Sequence, residues 1–265
     1  MSAPVLGVIP ARLGSSRLPR KPLLRIAGRP LVEWVWRRAV GMELFTAVVV
    51  ATDSDEVAGA AREFGARVEL TDPAHPSGTD RVAEVARRGS YAGFPVVVNV
   101  QGDEPFLSPD HVEAAVRLVQ GGEWEVGTVA APIASLEEWR DPAVVKVVRG
   151  RDGAALYFSR APIPHPRDDA DAGPGAEEEV HRSLFLRHVG LYAYRRDALL
   201  RWVALPEGEL ERVERLEQLR PLAAGMRIGV AVGAPAERGV DTPADAERAE
   251  RRLSTEPFAR ERALV

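Results

Sequence analysis

The sequence predicts a mostly parallel α/β sheet with helices on both faces and a smaller lobe inserted around residues 130–195. Short apolar runs alternate with stretches whose apolar residues recur at helical spacing. That βαβαβ order is what a parallel sheet with crossover helices requires. Val48-Val49-Val50 and Val96-Val97-Val98 are apolar without alternation, the mark of strands buried on both faces. The loops that leave the strands at Pro10 and Gln101 are expected at the carboxyl ends of the sheet, where such folds bind their ligands.

Element by element, strands are expected at Val5–Pro10, Ala47–Ala51, Arg67–Leu70 and Val96–Val100, with helices at Leu31–Gly41, Asp55–Phe64, Gly78–Arg88 and Pro109–Val119. Beyond residue 120 the pattern changes. Glu125–Pro132, Val144–Arg149, Leu186–Tyr194 and Ile228–Val232 read as strands, and Glu209–Ala224 as one long amphipathic helix. A last helix, Thr242–Leu253, opens with Thr242 as cap and Pro243 at its first position. Ala161–Arg182 is rich in proline and charge with little periodicity, which predicts a mobile excursion. With no internal repeat and no linker, one domain spanning residues 1–265 is expected.

Composition narrows the chemistry. The net charge of −4 is scattered rather than blocked, which gives no footprint for nucleic acid. No apolar run approaches the roughly 20 residues that span a bilayer, and Met1 leads to Val5-Leu6-Gly7-Val8-Ile9 without a basic region or cleavage site. A cytoplasmic protein that binds neither nucleic acid nor membrane is therefore expected. Without cysteine, catalysis must rest on oxygen and nitrogen groups.

The segment Ile9-Pro10-Ala11-Arg12-Leu13-Gly14-Ser15-Ser16-Arg17-Leu18-Pro19-Arg20-Lys21-Pro22-Leu23 joins the first strand to a helix. Small residues let backbone amides approach oxygens, and four cations supply charge, so the loop suits a polyphosphate; a basic surface loop is the plainer reading. It matches neither G-x-G-x-x-G nor G-x-x-x-x-G-K-[ST]. Asn99-Val100-Gln101-Gly102-Asp103-Glu104-Pro105-Phe106 closes a buried strand with two carboxylates, of which Asp103 is the better ligand for a hard cation. Gly239-Val240-Asp241-Thr242-Pro243 puts another acid between strand and helix. Asp241 alone reads as a capping residue, but together with Asp103 it would complete a cation site.

These motifs resemble those of the 3-deoxy-D-manno-octulosonate cytidylyltransferases, the CMP-Kdo synthetases. The likeness continues through His75-Pro76-Ser77-Gly78-Thr79-Asp80-Arg81, Val145-Lys146-Val147-Val148 and Ala155-Leu156-Tyr157-Phe158-Ser159-Arg160-Ala161-Pro162-Ile163-Pro164. It extends to Arg187-His188-Val189-Gly190-Leu191-Tyr192-Ala193-Tyr194 and Leu216-Glu217-Gln218-Leu219-Arg220, in family order over nearly the whole chain. The opening signature is shared broadly among CMP-sugar synthetases, whereas the set Gln101–Pro105, Phe158–Arg160, Arg187–Tyr192 and Leu216–Arg220 is much more specific to Kdo.

The resemblance implies a Rossmann-like nucleotidyltransferase sheet, CTP and Kdo as substrates, a magnesium cofactor and a homodimer, with the inserted lobe serving the sugar and the dimer. It implies that Pro10, Ala11, Arg12 and Lys21 hold the CTP phosphates, that Ser77, Gly78 and Arg81 lie near the cytidine, and that Asp103 and Asp241 bind magnesium. Arg12, Lys21, Asp103 and Asp241 form its catalytic set. Gln101, Arg160, His188, Tyr192, Glu217 and Gln218 shape its sugar pocket. Plainer readings stand beside these: a surface ion pair for Arg160, core-edge positions for His188 and Tyr192, and a solvated helix face for Glu217 and Gln218. The acidic stretch Asp168–Glu179 matches no family motif. Two rivals remain, a cytidylyltransferase for another sugar acid and a non-catalytic nucleotide-sugar sensor; retention of both metal carboxylates speaks against the sensor.

Lysine occurs only at Lys21 and Lys146, in a chain that otherwise uses arginine for its cations. A retained lysine suggests a place where a planar guanidinium would not fit. Both ammonium groups are expected to face the ligand site, with solvent exposure on an edge strand as the alternative for Lys146.

Overall fold

The apolar runs do become strands buried on both faces: Val5–Ile9, Val48–Ala51 and Val96–Val98 are all shielded from solvent. The computed structural model describes residues 3–14, 18–167, 184–235 and 237–255. Strand β1 (Val5–Pro10) is followed by a 3-10 turn (Lys21–Leu23), a hairpin of β2 (Arg25–Ile26) and β3 (Arg29–Pro30), and helix α1 (Leu31–Val40). Then come β4 (Ala47–Thr52), α2 (Asp55–Glu63), β5 (Arg67–Leu70), α3 (Gly78–Arg87) and β6 (Val96–Asn99). The chain continues through α4 (Pro109–Gln120), β7 (Val126–Pro132), α5 (Leu136–Arg140), β8 (Lys146–Arg149), β9 (Ala155–Ser159) and β10 (Leu186–Arg195). It ends with α6 (Arg196–Trp202), α7 (Glu209–Glu214), α8 (Leu219–Ala223), β11 (Ile228–Val232) and α9 (Pro243–Leu253). The expected α/β class with a mostly parallel central sheet is the one observed.

The chain divides into two compact units, Met1–Pro109 with Glu237–Val265, and Asp110–Ala236. In the first, β6, β1, β4 and β5 lie side by side and wholly parallel, with Val8 opposite both Val49 and Asn99. The chain runs outward from β1 to β4 and β5, then returns to β6 on the other side of β1. That reversal is a topological switch point, so the loops after β1 and β6 diverge around a crevice at the strands' carboxyl ends. Helix α3 packs on β1, β4 and β6, begun by Ser77, whose Oγ accepts from Asp80 N at 3.2 Å. Ser54 caps α2 in the same way, and Thr242 caps α9 through Asp245 N.

In the second unit β7 is the centre, parallel to β11 and antiparallel to β10, which also pairs with β8; β8 in turn pairs with β9. The expected helix over Glu209–Ala224 is instead two short ones, α7 and α8, broken at Arg215, whose φ of 53° is left-handed. Pro221 explains the break. In one continuous helix it would remove a hydrogen bond to Glu217 O and crowd that carbonyl, whereas in α8 it sits in the first turn, where the missing N–H costs nothing. Residues 168–183, which include the acidic stretch and most of the predicted excursion, lie outside the described residues.

A Cβ at Gly102 would lie 2.5 Å from Pro10 O, so only glycine lets the loop after β6 press against the end of β1. Gly59, within α2, has nothing within 4 Å of its ideal Cβ. The two glycines should therefore respond to alanine in opposite directions. Gly102→Ala is expected to lose about 1–3 kcal/mol through overpacking, and Gly59→Ala to gain up to about 1 kcal/mol from helix propensity. Thermal unfolding of both variants checks the pair.

Candidate active site

Two carboxylates that lie far apart along the chain meet on one ammonium group. Lys21 Nζ donates to Asp103 Oδ2 at 2.5 Å and to Asp241 Oδ1 at 2.8 Å. Lys21 leaves the 3-10 turn, Asp103 the loop after β6, and Asp241 the segment just before α9. Burial disfavours charge on Lys21, but Asp103 and then Asp241 more than offset it, so its pKa is raised and it stays an ammonium.

The three segments are held together by a small core of Leu18, Ile26, Leu31, Trp34, Val240, Ala249 and Leu253, against which Leu24 and Phe106 pack. Val240 N donates to Asp103 O at 2.9 Å, a backbone link one residue before Asp241. Gly239 makes that link possible, since an ideal Cβ there would stand 3.0 Å from Asp103 O and 2.9 Å from Glu104 Oε1.

Among the described residues no cluster of three or more His, Cys, Asp or Glu side chains is placed to hold a metal. Two carboxylates are nonetheless the donor set that suits magnesium, which keeps several waters and takes its remaining oxygens from phosphates. Asp103 and Asp241 are therefore chemically fitted to hold such an ion, and the Lys21 ammonium between them shows that this spot is arranged for positive charge.

The other residues expected near the nucleotide fall around the same switch point. Pro10 ends β1, Ala11 is buried and Arg12 exposed. Gly78 opens α3 with its ideal Cβ 3.5 Å from Pro10 Cγ, which brings the helix N-terminus against the start of the loop. Ser77 spends its hydroxyl as the α3 cap and donates to Asp80 Oδ2 at 2.7 Å. Arg81 is only 2% exposed. Its guanidinium binds Asp53 Oδ2 at 2.8 Å and the Thr71 hydroxyl, so it braces the loops after β4 and β5. Gln101 follows β6, its carbonyl accepting from Glu104 N at 3.2 Å. Ser15, Ser16 and Arg17 lie outside the described residues.

The second unit gathers Arg160, His188, Tyr192, Glu217 and Gln218. A bulge in β10 sets two of them. His188 lies opposite Ala130 and Val189 opposite Val129, but the next pair is Tyr192 with Thr128. Gly190 and Leu191 are looped out, so His188 and Tyr192 stand two partner positions apart rather than four, and their rings approach to 5.2 Å. Thr128 Oγ1 satisfies the bulge by donating to Leu191 O at 2.7 Å. With its proton spent, it accepts from His188 Nε2 at 2.9 Å, which assigns the proton of the neutral imidazole to Nε2 and leaves Nδ1 an acceptor. Desolvation pushes the His188 pKa down to about 3, so the ring is neutral.

Phe158 packs edge-on against His188, and Trp202 edge-on against Tyr192. Tyr192 Oη is buried without a hydrogen-bond partner among the described residues. Burial, then Tyr194 and Glu217, raise its pKa and keep it a phenol. A buried hydroxyl in that state has an unmet need that a ligand oxygen would answer. Gln218 is buried and Glu217 half-buried, at the corner made by the break between α7 and α8 rather than on an open helix face.

Arg160 follows β9. Its Nε donates to Glu214 O at 2.8 Å and its Nη1 to Pro142 O at 3.0 Å, while its backbone N donates to Glu214 Oε2 at 2.9 Å. Three of its five N–H groups then have no partner among the described residues, enough for an end-on fork from Nη1 and Nη2.

Lys146 corrects an expectation. It is neither exposed nor turned to a ligand: the side chain is fully buried, and Nζ donates to the carbonyls of Asp141, Val144 and Arg160. Sequence reading also missed Asp53, Thr128, Ser159 and Glu214. The only signal for Thr128 was a single hydroxyl within the apolar run Val126–Pro132.

A phosphate-type loop and a carboxylate pair at a parallel switch point define an enzyme of the nucleotidyltransferase class. The chain belongs to the cytidylyltransferase family, whose model matches residues 6–228. It is 50% identical to a 3-deoxy-manno-octulosonate cytidylyltransferase of Gemmatimonas aurantiaca over 93% of each chain. It is 47% identical to the protein of that name from Syntrophotalea carbinolica, over 94% of this chain and 98% of that one. Among solved structures, CMP:2-keto-3-deoxy-manno-octonic acid synthetase complexed with CTP superposes with a TM-score of 0.85 at 40% identity, covering 95% of this chain and 98% of the other.

Gly239→Ala should push Asp241 away from Asp103 while removing no charged side chain. The magnesium concentration for half-maximal turnover is expected to rise about tenfold, with turnover recovering at high metal. A variant that loses turnover equally at all magnesium concentrations would separate Gly239 from the carboxylate pair.

Proposed function

We infer that this enzyme transfers CMP from CTP to the anomeric hydroxyl of Kdo, giving CMP-Kdo and pyrophosphate. The observation that carries the reading is the convergence of Asp103 and Asp241 on Lys21 at the switch point, supported by relatives bearing this activity's name at up to 50% identity. Arg12 and Lys21 hold phosphate oxygens of CTP. As a compact ammonium on a flexible stem, Lys21 would leave the carboxylates for the β and γ oxygens and follow the pyrophosphate as it departs. Ser77 and Gly78 present the α3 N-terminus, and Arg81 keeps its surrounding loops in place for the cytidine. Asp103 and Asp241 would hold magnesium, which would supply positive charge where negative charge builds on the reacting phosphate.

The residues assigned to the sugar acid are Gln101, Arg160, His188, Tyr192, Glu217 and Gln218. Arg160 grips the carboxylate with its end-on fork, the Tyr192 phenol donates to a sugar hydroxyl, and His188 Nδ1, Glu217 and Gln218 accept from or donate to the others. In-line attack then depends on positioning and charge neutralisation, without a covalent enzyme intermediate. The product serves lipopolysaccharide or a related surface glycan, made in the cytoplasm by a homodimer.

Pyrophosphate release from CTP should require both Kdo and magnesium. Release driven equally by another sugar acid would change the acceptor, and CTP binding without release would turn the protein into a sensor. Asp103→Asn is expected to lower turnover at least about 100-fold with the fold intact. Arg160→Lys should raise KM for the sugar acid at least about tenfold while leaving CTP affinity within twofold, because an ammonium cannot reproduce the fork. An equal loss for CTP would move Arg160 to the nucleotide.

A further inference from the structure

The second unit contains a buried charge that none of the assigned roles uses. Lys146 has no exposed surface, and all three of its ammonium protons are spent on backbone carbonyls, at 2.9 Å to Asp141 O, 2.6 Å to Val144 O and 2.6 Å to Arg160 O. Burial lowers its pKa, with Asp141 acting in the opposite direction and Arg160 adding to the fall. A methionine or leucine would fill the same space without the cost of desolvating an ion. The carbonyls it gathers suggest what that cost secures.

Two belong to the turn before β8 and the third to the residue just past β9. Lys146 is paired across the strands with Ser159, so its side chain reaches the neighbour of its own partner. Between the two turn carbonyls lies Pro142, whose own carbonyl accepts from Arg160 Nη1 at 3.0 Å. One ammonium therefore fixes both the backbone of Arg160 and the turn that orients its guanidinium. On the other side Glu214 holds the same residue, accepting from Ser159 Oγ at 2.6 Å, from Arg160 N through its carboxylate, and from Arg160 Nε through its carbonyl. A compact ammonium with three divergent protons suits converging carbonyls better than a flat guanidinium, which accounts for a lysine here in a chain of thirty-three arginines.

We propose that Lys146 is a positioning residue for recognition of the sugar acid's carboxylate: it holds the Arg160 backbone and the 141–144 turn in one arrangement, and so sets where the Arg160 guanidinium stands. The proposal rests on the reading of Arg160 as the group that grips the carboxylate.

The test is a double-mutant cycle on the full-length enzyme between Lys146→Met and Arg160→Ala, with KM for Kdo, kcat, Kd for CTP and Tm measured for each variant. Lys146→Met is expected to raise KM for Kdo at least tenfold while Kd for CTP stays within twofold. In the Arg160→Ala background it should add less than threefold, because the residue it positions is already gone. Full additivity in the cycle, or a parallel loss of CTP affinity, overturns the proposal and makes Lys146 a residue of general stability. If Lys146→Met does not fold, Lys146→Arg takes its place in the cycle, since it keeps the charge but replaces the three divergent protons by a flat fork. It should shift KM for Kdo in the same selective way, and an unchanged KM overturns the proposal. Should Arg160→Ala itself leave KM for Kdo unchanged, it is the reading of Arg160 that fails. A tenfold effect of Arg160→Ala beside a silent Lys146→Met sinks the positioning role alone.

Discussion

Two carboxylates brought close together repel unless something positive lies between them, and the first unit is built around that constraint. Asp103 and Asp241 come from loops far apart in sequence, and with the Lys21 ammonium between them they are stable neighbours even without a metal. The side chains are only partly exposed, at 13% for Lys21, 33% for Asp103 and 44% for Asp241, so solvent screens the attraction incompletely. Everything that surrounds the trio maintains their distances. The Leu18–Leu253 core ties the three segments together, Val240 N anchors one loop to the other, and Gly102 and Gly239 permit approaches that any side chain would prevent.

The second unit solves a different problem with different means. Its polar side chains are held less by backbone close approach than by buried hydrogen bonds: Thr128 to His188 and to Leu191 O, Glu214 to Ser159 and Arg160, Lys146 to three carbonyls. Networks of this kind are rigid when every member is satisfied, because any displacement leaves a buried group unpaired. The Tyr192 hydroxyl breaks the pattern, and it lies beside the neutral His188 ring.

How much of this could be read in advance depended on whether the cause was local. Val48-Val49-Val50, Val96-Val97-Val98 and the Thr242-Pro243 cap carry their structure in neighbouring residues, and those elements were legible to within a residue or two. The carboxylate pair was legible as a possibility, because acids at strand ends face a common crevice. Its bridging ammonium was not, since nothing in Lys21's neighbours says where a four-carbon stem will point. The split of Glu209–Ala224 was foreshadowed by Pro221, whose effect was outweighed by the amphipathic pattern around it. The interior place of Lys146 was hidden for a stronger reason. Charge within a valine run ordinarily argues for an edge or a cleft, and only the tertiary arrangement of Asp141, Val144 and Arg160 supplies the carbonyls that make burial tolerable.

The bulge in β10 adds two residues to one strand rather than one. Strand side chains alternate with a period of two, so a single insertion would swap the inner and outer faces of everything downstream, whereas a pair preserves parity. Ala193 and Tyr194 therefore keep the sides they would have had in an uninterrupted ladder, opposite Gly127 and Val126. The local geometry around His188 and Tyr192 is thus decoupled from the packing of the strand that carries them. Substitution at Gly190, where an added Cβ would meet nothing within 4 Å, can retune the spacing of those two rings without rewriting the hydrophobic code beyond them, whereas Leu191 is held in the core.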